Sequence, residues 1–308
     1  MKKLYTDYNT YLRNIFGTRV QKISIDAGMN CPNRDGTIST DGCIYCNESG
    51  SGTGAHARGI SIKEQLVHGK KHLAKRYKAK KFIAYFQSFS NTYASFETLK
   101  QIYEEALAVD NIVGLSIGTR PDCIYEPVLE LLQDYAKISL IWIEYGLQSA
   151  IDSTLAYINR GHDFKCFKNA VNATKNRGIN ICAHVILGLP GEGRTRMLET
   201  ARAISNTGIN GIKLHLLYVI KNTKLYELYT AGKYRCLEQQ EYVNLVCDFL
   251  ELLPQDIIIQ RLASAPHPEE LAAPDWSLEK RKTIALIEQT LKKRGSYQGR
   301  FFQRNYTY

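Results

Sequence analysis

Six short apolar runs recur along the chain, each followed by a stretch with helical spacing of its apolar residues. The runs are KISIDA (Lys22–Ala27), FIAYFQ (Phe82–Gln87), VGLSIGT (Val113–Thr119), LIWIEYGLQ (Leu140–Gln148), INICAHVILG (Ile179–Gly188) and GIKLHLLYVI (Gly211–Ile220). They are rich in Ile and Val and do not alternate strictly, as strands of a parallel sheet buried on both faces should read. Between them lie amphipathic segments such as FETLKQIYEEALAV and EPVLELLQDYAK. Strand and helix in alternation with short connections predict βαβ units and an α/β fold, here six units forming a barrel or part of one. A seventh run, DIIIQRLAS (Asp256–Ser264), pairs at the sheet edge or opens a C-terminal extension. APHPEELAAPDW then reads as a loop, and SLEKRKTIALIEQTLKKRG as a last helix stopping at Gly295. The expected organisation is a helical lead-in over 1–21, a core over 22–264 and a basic extension over 265–308.

Composition changes this picture little. The 308 residues are 44% hydrophobic and 23% charged, ordinary for a folded chain. No stretch approaches the roughly 20 apolar residues that span a bilayer, and the N-terminus has no signal-peptide core, so no membrane association and a cytoplasmic location are expected. In that setting eight cysteines point to metal ligation or packing rather than disulfides. Charge adds more. The net charge is +10, and GKKHLAKRYKAKK (Gly69–Lys81) carries seven Lys/Arg and no acid. The tail from Lys292 has five Lys/Arg, five aromatics (Tyr297, Phe301, Phe302, Tyr306, Tyr308) and no acid. Basic groups neutralise phosphates and aromatic faces stack on unpaired bases, so both segments are candidate nucleic-acid contacts. A solvated helix face and a tail folded over the barrel are the plainer readings.

The chemistry concentrates in NCPNRDGTISTDGCIYCN, a C-x11-C-x2-C set (Cys31, Cys43, Cys46) directly after the first strand. Three thiolates are one fewer than the irons of a [4Fe–4S] cube, which leaves one iron for a non-protein ligand. Zinc is the rival, with His56 as the nearby candidate for a fourth ligand. Cys123, Cys166, Cys182, Cys236 and Cys247 lack C-x2-C pairing and read as buried small hydrophobes. SGSGTG lacks the frame of a dinucleotide site or P-loop and reads as a flexible loop beside the cysteines. Glu144 inside an apolar strand must have a partner, because burying it unpaired costs several kcal/mol. Gln148 and Ser149 either close that strand or face a ligand, and Arg160 either caps a helix or binds an anion. Arg120, Asp122, His184, Lys213 and His215 sit at or near strand ends, where ligands of β/α barrels gather.

The three-Cys loop after strand one, with TRPD (Thr119–Asp122), IEYGLQS (Ile143–Ser149), NRGHD (Asn159–Asp163) and ILGLPGE (Ile186–Glu192), resembles the radical S-adenosylmethionine (SAM) superfamily over about Lys22 to Thr223. The long gap before the C-x2-C pair is similar to the subgroup typified by the Elongator catalytic subunit. The resemblance implies a partial (β/α)6 barrel with a short C-terminal extension, a [4Fe–4S] cluster on Cys31, Cys43 and Cys46, and SAM chelated to its open iron. It implies reductive SAM cleavage to a 5′-deoxyadenosyl radical, fed by a reductase or a flavodoxin- or ferredoxin-type donor. By the same resemblance Tyr45 lies against the adenine, Glu144, Gln148 and Ser149 face the ribose and methionine, and Arg160 pairs with the SAM carboxylate. The segment after strand two, QSFSNT, lacks the usual glycine pair, so Gln87 and Ser88 are the positions whose carbonyls would meet the SAM amino group. Arg120, Asp122 and His184 are the candidates toward substrate. The chain lacks the acetyltransferase domain of the Elongator subunit and the extra N-terminal cysteines of methylthiotransferases. It resembles the small YtqA/YhcC-type (MnmL-like) proteins, which implies conversion of 5-carboxymethylaminomethyl-uridine to 5-aminomethyl-uridine at the wobble position of tRNA. A radical SAM enzyme on a small metabolite and a non-catalytic zinc-stabilised RNA-binding protein are the alternatives.

Overall fold

The computed structural model describes residues 3–47, 50 and 54–303. Helix α1 (Tyr8–Phe16) precedes β1 (Val20–Ile25), and the long cysteine loop leads from β1 to α2 (Ile62–Tyr77). There follow β2 (Lys81–Phe86), α3 (Phe96–Leu107), β3 (Ile112–Thr119), α4 (Glu126–Ala136) and β4 (Leu140–Gln148). Then come α5 (Asp152–Tyr157), α6 (Phe164–Thr174), β5 (Asn180–Leu187), α7 (Arg194–Ser205) and β6 (Gly211–Leu216). The chain ends through β7 (Val219–Ile220), α8 (Lys224–Thr230), α9 (Gln239–Leu252), β8 (Ile258–Arg261), β9 (Leu271–Ala273) and α10 (Lys280–Lys293).

Seven parallel strands form one sheet in the order β1-β2-β3-β4-β5-β6-β8, curled into a half-barrel. The α/β partial barrel expected from the sequence is therefore present, with the seventh run as an edge strand beside β6. Two details differ. The run Gly211–Ile220 breaks after Leu216, and its end pairs antiparallel with Leu271–Ala273, inside the stretch expected to be loop. The strands also alternate after all. Outward-facing Ile23, Ile25, Leu115, Ile117, Ile143, Tyr145, Ala183, Val185, Ile212 and Leu214 pack in one apolar core. The inward positions between them are Lys22, Ser116, Glu144, His184 and Lys213, which bond to one another across the barrel. Burial on both faces hides this period from a reading of hydropathy alone.

Helix α1 fills the N-terminal end of the half-barrel. Asp7 caps it by accepting from Thr10 N and also bridges to Ile259 at the far sheet edge. Tyr8 and Tyr11 meet the fully buried Trp142 edge-to-face at centroid distances of 5.7 and 5.8 Å, a favourable aromatic geometry. The base of the half-barrel is thus filled, and a cavity lies toward the strand C-termini. The tail folds back as far as it is described: Gln298 N donates to Leu4 O, and Phe301 N donates to Glu251 O. Phe301 keeps its ring exposed. Tyr306 and Tyr308, with Ser49, Ser51, Gly52 and Thr53 of the glycine-rich run, lie outside the described residues.

Candidate active site

The loop after β1 is shaped by its own backbone and by the NRG motif after α5. Arg34 N donates to Cys31 O, Gly42 N to Asn33 O, and Cys46 N to Cys43 O at 2.9 Å, which closes the C-x2-C turn. Asn159, in the left-handed region at φ 53, donates to Gly42 O, while Asn33 donates back to Asn159 O. These bonds bring Cys31, Cys43 and Cys46 to one end of a cavity of about 360 Å³ at the strand C-termini.

Nitrogen donors lie beside two of the three sulfurs. Asn33 Nδ2 lies 3.7 Å and Arg160 Nη1 3.6 Å from Cys43 Sγ, and Arg34 Nη1 lies 3.5 Å from Cys46 Sγ. Burial pushes the Cys46 thiol up to about 11, with the neighbouring Cys43 adding to it and Arg34 opposing. Ionised sulfur here therefore needs positive charge, which the two guanidiniums and a metal centre would provide. N–H donors aimed at thiolate sulfur, with a cavity left beside them, suit an iron–sulfur cluster with an open iron.

The strand ends supply the rest of the cavity wall. Tyr45 and Gln87 line it together with Gly118, Gly146 and Gln148. Gln148 is a non-glycine residue at φ 79, at the register shift between β4 and β5. Such a conformation costs on the order of 1 kcal/mol or more and turns the side chain into the cavity. Arg160 donates from Nε and Nη2 to Gly146 O at 3.1 and 2.7 Å, so the arginine and the glycine rim are one unit. Arg120 is 2% exposed and grips Asp122 with Nε and Nη2, while its buried Nη1 has no partner among the described residues. Asp122 itself does not line the cavity.

Two expected contacts point elsewhere. Ser149 donates to Glu192 Oε1, joining the IEYGLQS and GLPGE segments behind the wall, and is not part of the cavity lining. Ser88 is likewise off the lining, and its carbonyl accepts from Asn91 Nδ2, which also bonds Gly118 O.

Glu144 forms the cavity floor, and its carboxylate is fully engaged. Oε1 accepts from Lys22 Nζ at 2.6 Å and from Ser116 Oγ, and Oε2 accepts from Lys213 Nζ and from His184 Nε2 at 2.8 Å. Burial alone would raise its pKa, but the ammonium groups of Lys213 and Lys22 outweigh that and hold it well below the usual range. Two ammoniums share one carboxylate, so burial and the second cation push Lys213 down to about 7 despite Glu144. His184 is pushed down to about 4, by burial first and then Lys213, and is neutral at pH 7. The reading of Glu144 as a buried residue satisfied by lysines describes its present contacts; a ligand hydroxyl would have to displace one of them.

Sequence reasoning did not find Asn33 and Arg34 at the sulfurs, Lys22 under Glu144, or Arg261, Ser264 and Lys280, which line the cavity beyond β6. Lys22 left a trace as a lysine inside an apolar run. Asn33 and Arg34 stand inside the cysteine motif, 10 and 12 residues from the sulfurs they meet, but spacing does not show which loop residues turn toward them. Arg261, Ser264 and Lys280 left no trace because their neighbours come from distant parts of the chain.

Known proteins bear on this geometry. Residues 31–204 match the radical SAM superfamily and residues 209–293 its C-terminal domain. The chain is 42% identical over 303 residues to YtqA of Bacillus subtilis, covering 98% of this chain and 94% of that protein. It is 36% identical over 296 residues to YhcC of Escherichia coli K12, covering 96% and 94%. Human Elongator complex protein 3 is 30% identical over 167 residues, which are 52% of this chain and 30% of that protein. In fold, the chain superposes on the archaeal Methanocaldococcus infernus Elp3 with a TM-score of 0.69 at 15% identity, covering 91% of this chain and 64% of that one. Among the described residues no helix is long and apolar enough to cross a membrane. Radical SAM enzymes use a [4Fe–4S] cluster and SAM. Cys31, Cys43 and Cys46 line one cavity with N–H donors on two of their sulfurs, the donor chemistry such a cluster needs, while among the described residues no three ligands stand at metal-binding spacing. The chain belongs to the radical SAM superfamily.

Proposed function

We propose that this enzyme modifies the C5 side chain of the tRNA wobble uridine, converting 5-carboxymethylaminomethyl-uridine to 5-aminomethyl-uridine. When bound and reduced, the [4Fe–4S] cluster with SAM supplies a 5′-deoxyadenosyl radical that abstracts a substrate hydrogen. In this reading Cys31, Cys43 and Cys46 hold the cluster, Asn33 and Arg160 donate to the Cys43 sulfur and Arg34 to the Cys46 sulfur. Tyr45 borders the adenine, Gln87 and Gln148 orient the cofactor, and Arg160 and Arg120 Nη1 face its carboxylate. The Glu144 cluster closes the floor and keeps bulk water from the reacting end. The cysteine thiols with N–H donors on the Cys43 and Cys46 sulfurs, beside a cavity whose base is filled by Tyr8, Tyr11 and Trp142, are the observation that carries a radical enzyme, because a reactive centre needs a walled cavity.

The RNA assignment draws on the resemblance to the Elongator subgroup and to YtqA/YhcC-type proteins. The basic exposed face of α2, with Lys71, Lys75 and Arg76, supports it through phosphate contacts. Cys43 and Cys46 also border an outer groove of about 540 Å³ with Arg34 and Lys224, which suits electron entry from a flavodoxin- or ferredoxin-type donor. Deleting the gene should abolish 5-aminomethyl-uridine derived from the carboxymethylaminomethyl form, read by nucleoside mass spectrometry. An unchanged wobble profile refutes the substrate. Anaerobic reconstitution tests the chemistry separately: wild type should release 5′-deoxyadenosine from SAM on reduction, and Cys43→Ala should not.

A further inference from the structure

The cavity holds a second group of cations that the cysteine side does not use. Arg261 ends β8, Lys280 begins α10, and both line the cavity together with His215, Tyr218 and Ser264. Neither the Arg261 nor the Lys280 side chain forms an ion pair or hydrogen bond with another described residue. The nearest carboxylate inside the barrel, Glu144, is saturated by Lys22 and Lys213. Two further polar atoms on this wall, Ser264 Oγ and His215 Nε2, are buried without a partner among the described residues. The mutual influence of these cations is already felt: burial and then Arg261 lower the Lys280 ammonium and the His215 imidazole.

Neighbouring cations repel one another and orphaned buried polar atoms are costly, and an anion that enters between them relieves both. A planar guanidinium beside an ammonium matches an oxyanion with directed and charge-assisted bonds. The groups on the cysteine side come from the ends of β2, β3 and β4 and from Arg160. This set comes from β6, β8 and α10, the side of the cavity left for substrate.

We propose that Arg261 and Lys280, with Ser264 Oγ and His215 Nε2, form a receptor for an oxyanion carried by the substrate. Resting on the function proposed above, that oxyanion is the carboxylate of the carboxymethylaminomethyl group. Binding it there anchors the end of the side chain that is lost. It also distinguishes substrate from product, because the product has no carboxylate.

The test is anaerobic titration of the reconstituted protein with two anticodon stem-loop RNAs. They are identical except for 5-carboxymethylaminomethyl-uridine or 5-methylaminomethyl-uridine at the wobble position. Wild type should bind the acid-bearing RNA tighter by about tenfold or more, the worth of one charge-assisted contact. Arg261→Gln should lose that difference. Lys280→Gln, at an exposed helix start, should reduce it in a protein whose fold is not at risk. Equal weakening of both RNAs by the two variants keeps the receptor and assigns it to a backbone phosphate. Wild-type affinities in both variants, or loss of SAM binding with RNA binding intact, overturn it. Wild type binding neither RNA removes the tRNA reading alone, and titration with inorganic phosphate then decides. A phosphate site lost in Arg261→Gln retains the receptor, and equal phosphate binding by both proteins overturns it.

Discussion

Replacing Glu144 by Gln keeps the shape of the barrel floor and removes the one carboxylate among the described residues that line the cavity. Lys213 has 3% and Lys22 17% of its side chain exposed, so neither ammonium can recover its lost attraction from water. Removing one partner of a buried pair costs about 3–5 kcal/mol. One escape lowers that figure: Lys213 titrates at about 7, so at neutral pH it sheds its proton at little cost. The expected loss at pH 7 is therefore near the lower bound, about 3 kcal/mol. For 308 residues the unfolding entropy is about 0.65 kcal/mol per kelvin, which converts that loss to a fall of about 5 °C in Tm. Below pH 7 wild-type Lys213 is protonated folded and unfolded. In Glu144→Gln its folded pKa falls further, so only the unfolded chain takes up the proton. The penalty then grows by up to about 1.4 kcal/mol per pH unit toward pH 5. Thermal unfolding of the metal-free protein across that range reads both effects, and Glu144→Gln/Lys213→Met should recover part of the loss. A Tm within about 1 °C of wild type, or a penalty independent of pH, would refute the ionised carboxylate shared by two lysines.

Lys213→Met isolates the same group at higher pH. The folded-state pKa of about 7 lies below the ordinary 10.5, so between those values the unfolded chain holds more protons. Wild-type stability should therefore rise with pH across that window relative to Lys213→Met, and parallel urea-midpoint curves would contradict this. Gly146→Ala places a Cβ 2.6 Å from Arg160 Nη2 and 2.8 Å from Gln148 Nε2. Displacing both side chains should weaken SAM binding by about tenfold or more, the size of an overpacking penalty, and unchanged affinity in equilibrium dialysis would count against the rim. Arg34→Met removes a cation and an N–H donor from Cys46 Sγ, which favours the more oxidised cluster. Its reduction potential should fall in a titration followed by electron paramagnetic resonance, and an unchanged or higher value argues against the contact.

Much of this protein was legible along the chain because the signals are local. The βαβ rhythm, the C-x11-C-x2-C spacing and the motifs at strand ends each lie within a few residues, and they placed the cysteines beside strand C-termini. Topology alone carries strand ends to one end of the barrel, and of the positions expected there Tyr45, Gln87, Arg120, Glu144, Gln148, Arg160 and His184 line the cavity while Ser88, Asp122 and Ser149 do not. Where each side chain then turned was another matter. Gln148 lines the cavity and Ser149, the next residue, bonds Glu192 behind it, a choice made by the register shift at the end of β4.

The partners of Glu144 lay beyond any local signal. Lys22 is 122 residues before it and Lys213 is 69 after it, and they meet only because the parallel register aligns alternate positions of distant strands. Strands covered on both faces carry no visible period, so hydropathy could show that Glu144 was buried but not which face it shared or with whom. Arg261 and Lys280 are the extreme case. As residues of an edge strand and a late helix they look like ordinary surface charges, and only the curvature of the sheet turns them into the wall of the same cavity as the cysteines. The sequence by itself determined the strands and the thiols; curvature and register, which depend on packing the whole sheet against its helices, decided which charges face one another inside it.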